Sequence, residues 1–163
     1  MPVRRVQASK TGAGSVSPAE TASRSDERSA PLSIAAILAR PLSGSPLFLK
    51  TVLDELRVSA TNALLQQRLD YYLQARDLTD LFARVLGRLD EDCEPELVAK
   101  ALPLIWASRA GLEEGEIIAI TGATPLAWAT LRNGLGDSLR DQRGRMAFSH
   151  DFLSQAVATR YLK

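Results

Sequence analysis

The chain has 163 residues, enough for one domain or two small ones. Its 20 basic and 19 acidic side chains leave a formal net charge of +1, which excludes a partner held mainly by bulk electrostatics, such as nonspecific nucleic acid or an anionic membrane. Apolar residues make up 45% of the chain, enough for a core, yet no apolar run nears the roughly 20 residues of a membrane span. Cys93 is the single cysteine, so the chain can form neither an internal disulfide nor a cysteine metal cage, and a reducing, cytoplasmic setting is expected.

Residues 1–31 are rich in Ser, Ala, Arg and Gly, and beyond Met1 their large aliphatics are Val3, Val6 and Val16. Such a segment buries too little surface to offset its ordering entropy, which predicts a disordered tail. From Ile34 the pattern turns helical. A short helix runs over 34–39 and stops before Pro41. Ser45 and Pro46 then suit the N-cap and first position of a second helix, whose stripe is Phe48, Leu49, Val52, Leu53 and Leu56. A looser helix covers 62–73. The next carries Leu78, Leu81, Phe82, Val85, Leu86 and Leu89 on one face, with Asp77 and Asp80 favouring its positive end.

An acidic connector, residues 90–96, is expected to separate two subdomains. Beyond it lies a buried helix with Leu97, Val98, Ala101, Leu102, Ile105 and Trp106, which Pro103 should kink or delay. A short helix over 113–120 ends at Gly122. Thr124 and Pro125 open another, with Leu126, Trp128, Ala129, Leu131 and Leu135. Two short strands, 138–141 and 145–148, then flank Gln142-Arg143-Gly144, where Gly144 supplies the left-handed residue of a hairpin. The last helix is expected to begin at Ser149 as N-cap and run to Tyr161. The fold class is therefore mainly α: a small helical bundle over 32–91, then a winged-helix domain over 94–163 with one short β-hairpin.

The chemistry is sparse. No G-x-x-x-x-G-K-[ST] loop occurs, one histidine and one cysteine cannot make a metal cluster, and adjacent Ser149, His150 and Asp151 point in different directions on a helix. The chain is not expected to be an enzyme. A winged helix raises the possibility of DNA binding through helix 125–134 and through Arg140, Arg143 and Arg145 on the hairpin. With net charge near zero, solvated surface is the better account of those arginines, and nucleic acid is not the expected partner. A helical adaptor that binds only protein is a further reading. His150, the single histidine, sits where a strand turns into a helix, a joint whose free N–H groups favour an anion. It either touches a phosphate or bonds the neighbouring backbone.

Gly44-Ser45-Pro46-Leu47 followed by a helix, the segment 104–112, and the sequence Phe148-Ser149-His150-Asp151-Phe152-Leu153 occur in that order. Together they resemble the C-terminal half of the nucleotide-binding module of STAND NTPases, and nephrocystin-like NACHT proteins that continue into tetratricopeptide or other repeats in particular. The likeness covers about residues 32–163. It implies a non-catalytic regulatory fragment of a STAND/NACHT-type signalling NTPase, one that senses whether ADP or ATP is bound and makes interdomain contacts. It implies that Pro46, the proline of the Gly-x-Pro motif, packs on the adenine, although a proline at a first helical position needs no such role. It implies that His150 contacts the β-phosphate of ADP through a charge-assisted bond. Ser45 stands where that family commonly has Asn, and Ser149 where its motif has Met. The Walker A and Walker B half is absent. The expected cofactor is accordingly none for the chain alone, and ADP or ATP once a P-loop half completes the module. The expected partner is that half or another protein.

Overall fold

The computed structural model describes residues 34–58 and 62–162. The tail reading for residues 1–31 lies outside them. Within them the chain is mainly helical, with one small antiparallel sheet.

The first helices are α1 (Ile34–Leu38), α2 (Pro46–Arg57), α3 (Asn62–Leu73) and α4 (Leu78–Asp92). Their starts follow local chemistry. Ser45 caps α2 by accepting from the Phe48 amide at 3.4 Å, and Pro46 occupies the first turn, where its missing N–H costs nothing. Asp77 caps α4 by accepting from the Asp80 amide at 2.8 Å. Three acids expected in a connector, Asp90, Glu91 and Asp92, instead form the last turn of α4. Only Cys93 and Glu94 separate it from α5 (Pro95–Ala107). That helix starts at Pro95 and carries Pro103 inside, so the proline does not delay it.

Gly111 adopts φ 77° and turns the chain into β1 (Leu112–Glu113). Then come α6 (Glu114–Thr121), α7 (Pro125–Leu135), β2 (Leu139–Gln142), β3 (Arg145–Phe148) and α8 (Asp151–Tyr161). The expected hairpin pairs Leu139 with Phe148 and Gln142 with Arg145. Its two turn residues, Arg143 and Gly144, both have positive φ, as a two-residue primed turn requires. The third strand, β1, was not expected. It lies on the other side of β3 and pairs Leu112 with Met146.

A single apolar cluster runs from Ile37 to Val157 and takes in residues on both sides of the acidic turn. The last helix, α8, packs on α4 and α5 and buries Leu153, Ala156 and Val157 between them. Three residues of the expected apolar stripes are exposed, Leu126 at 78%, Leu53 at 48% and Trp106 at 44%, and so is Ile120 at 60%. Leu126, Ile120 and Trp106 sit on the first or last turns of their helices, and Leu53 lies beside the face of α2 that buries Phe48, Val52 and Leu56. No helix among the described residues is long and apolar enough to cross a membrane.

Candidate functional site

Helix α2 and the start of α8 come from opposite ends of the described chain, yet both reach one cleft of about 280 Å³. Leu47, Lys50, Thr51 and Asp54 of α2 form one wall. Residues 133–138, from the end of α7 and the turn after it, form the other. His150 lies at the cleft as well. Pro46 is the residue before Leu47, at the first position of α2, and is not itself a lining residue.

His150 is the N-cap of α8, one residue later than the sequence suggests, and its side chain makes no capping bond. Its carbonyl takes the Ser154 amide at 3.4 Å. Its ring lies 6.2 Å, centroid to centroid, from Phe82 of α4. Ser149, the expected cap, is a backbone anchor instead. Its hydroxyl donates to the Asp137 carbonyl at 2.8 Å and its amide to the Ser138 carbonyl at 3.0 Å. The backbone at residues 137 and 138 is thus held by Ser149.

Beneath the cleft lies a buried ionic network. Arg88 of α4 grips Glu55 of α2 with two bonds, Nε to Oε2 at 2.6 Å and Nη2 to Oε1 at 3.1 Å. Nη2 also donates to the Gly134 carbonyl at 2.8 Å, and Nη1 to Asp92 at 3.1 Å. The Tyr72 hydroxyl of α3 donates to Glu55 at 2.7 Å. Burial works against the Arg88 charge, but the bonds and charge of Glu55 outweigh it and raise the guanidinium's pKa. Burial, then the negative charge of Glu55, pushes the Tyr72 phenol above its ordinary value of 10. Arg88 thus ties both walls of the cleft to its floor. Gly134 lets α7 come this close, since a Cβ there would stand 2.8 Å from Leu89.

At the mouth, Lys50 donates to Asp54 and to Asp137, each at 2.6 Å. The Asp137 bond crosses from one wall to the other. Bonding to Asp137 and Asp54 raises the Lys50 pKa, and the same bond lowers that of Asp137.

Sequence reasoning brought out His150 and Pro46 but missed Lys50, Glu55, Arg88 and Asp137. Two of these left a signal. Glu55 follows Val52 by three residues and Phe48 by seven, and Arg88 stands in the same relation to Val85 and Leu81. A charge on an apolar stripe needs a buried partner. Elsewhere, burial raises the pKa of the half-buried Cys93 thiol, which keeps it from being a ready nucleophile.

No family model and no solved structure matches the chain. A TPR repeat-containing protein of Dictyostelium discoideum is 27% identical to it over 124 residues. The match takes in 72% of this chain and 8% of the length of that protein.

Proposed function

We propose that the chain is a non-catalytic regulatory part of a STAND/NACHT-type signalling NTPase, and that its cleft is the face it turns to bound nucleotide. The observation that carries this is the meeting of His150 with the helix that Pro46 begins. Read this way, α5 to α8 with the sheet are a winged-helix domain, and the earlier helices are the Gly-x-Pro lid. His150 donates to a phosphate of ADP, and Pro46, the residue before Leu47 of the cleft wall, bears on the base. A contact made in the ADP state and not in the ATP state shifts the module between closed and open forms. The Dictyostelium relative supports the setting, since a TPR repeat-containing protein is what the nephrocystin-like resemblance leads one to expect.

The test joins this chain to a P-loop-bearing half and compares ADP affinity for wild type and His150→Ala. Loss of a hydrogen bond to a charged group weakens binding by about tenfold or more. Equal affinity for the two would overturn the assignment of His150.

A second reading, a helical protein-binding adaptor, is favoured by the same relative and by the exposed Leu126 and Ile120. It requires no nucleotide and predicts that His150→Ala changes nothing but stability. DNA binding has less behind it. Arg132, the basic residue of α7, faces Glu114 at 3.0 Å and Asp141 at 3.8 Å, and Trp128 and Leu131 of that helix are fully buried.

A further inference from the structure

The cleft that would take a phosphate is occupied at its mouth by the protein's own carboxylate. Arg57 answers Asp54 at 3.0 Å, and Arg88 answers Glu55 from below. Lys50 is held twice, by Asp54 of its own helix and by Asp137 of the opposite wall, and of the two carboxylates that of Asp137 is the more exposed. We propose that Lys50 is an anion-binding residue of this cleft and that Asp137 is its built-in competitor: a di- or triphosphate group takes the ammonium in exchange for the Asp137 carboxylate.

Three features carry this exchange. The pair is exposed, with Lys50 49% and Asp137 80% accessible at the side chain, so its net strength is small and a more highly charged anion can displace it. The Asp137 backbone is fixed, because its carbonyl accepts from Ser149 Oγ, so only the side chain has to swing away. Ser149 is also the residue before His150. Lys50 and His150 both line this cleft. With Asp137 engaged, the cleft offers an anion no free positive charge. With Asp137 turned out, it offers the Lys50 ammonium, held at its own wall by Asp54.

The inference rests on the nucleotide reading of the cleft and adds to it a second phosphate contact and an intrinsic restraint on binding. Its test uses the full chain and inorganic pyrophosphate as probe, with the bound fraction read from the 31P resonance of pyrophosphate at constant pH and ionic strength. Four proteins are compared: wild type, Asp137→Asn, Lys50→Met and His150→Ala. Asp137→Asn should tighten binding about two- to fivefold, the worth of an exposed ion pair. Lys50→Met should weaken it about tenfold or more, the worth of a hydrogen bond to a charged group. Both residues are exposed, so both variants should melt close to wild type. If the Asp137 and Lys50 variants match wild type while His150→Ala weakens binding, the competitor is overturned and the nucleotide reading stands. If the Asp137 and Lys50 variants behave as stated while His150→Ala does not weaken binding, the exchange holds and the assigned role of His150 fails. If none of the four binds pyrophosphate, the Lys50 exchange falls, while the nucleotide reading, which calls for the P-loop half, is judged by the ADP affinity of the joined module.

Discussion

At the scale of single residues, the charges that matter most here are the hidden ones. Arg88 and Glu55 are both almost fully buried, and removing one partner of such a pair strands the other. Arg88→Met should therefore lower unfolding free energy by about 3–5 kcal/mol in urea denaturation. Replacing both Glu55 and Arg88 by Met should be less damaging than Arg88→Met alone, because no lone carboxylate stays buried. A double variant whose loss equals the sum of the two single losses would contradict the pairing. Tyr72 adds a pH signature. Its pKa is raised on folding, so the stability it contributes is fully present below pH 10, the ordinary phenol value, and declines as pH rises through the folded value. Unfolding free energy should fall with pH above about 10, and Tyr72→Phe should flatten that fall. An unchanged slope would mean that Tyr72 ionises as freely in the folded chain as in the unfolded one.

At the scale of elements, the helices were legible because their ends are written in short-range chemistry. Ser45-Pro46, Asp77 and Thr124-Pro125 each put an oxygen or a proline where the first turn needs it, and the structure begins α2, α4 and α7 there. The last helix shows the limit of that logic. Ser149 is the capping residue by type, yet the N-cap position falls to His150, whose side chain makes no capping bond, because Ser149 is drawn away to the 137–138 carbonyls. That is a tertiary fact which no local pattern carries. Strand β1 was illegible for another reason: two residues are too few for an alternating pattern. Its existence depends on Gly111, where a Cβ would stand 2.8 Å from the Met146 carbonyl oxygen and φ is 77°. Gly111→Ala should consequently destabilise the chain by about 2 kcal/mol or more, from the left-handed backbone together with the clash. It should also release the Leu112 amide, opposite Met146, to hydrogen exchange. Protection of that amide equal to wild type would show that β1 does not depend on the turn.

At the scale of the whole molecule, the cleft is a product of the long-range fold. Helix α8 reaches it because its apolar face packs on α4 and α5, and α2 reaches it because Glu55 is held by Arg88. The sequence marked the two ends of this arrangement, Pro46 and His150, through motif order. It could not mark the middle, since the contact of Lys50 with Asp137 depends on how α2 and the turn after α7 face each other. The central claim is that His150 meets nucleotide when the module is complete, and a chain with one histidine makes that claim unusually easy to read. With this chain alone isotope-labelled and joined to an unlabelled P-loop half, the His150 ring gives a single set of proton resonances. The account predicts that ADP shifts that set and that ADP exchanged for an ATP analogue returns it towards its free position. A ring resonance that stays in place while ADP binds would contradict it.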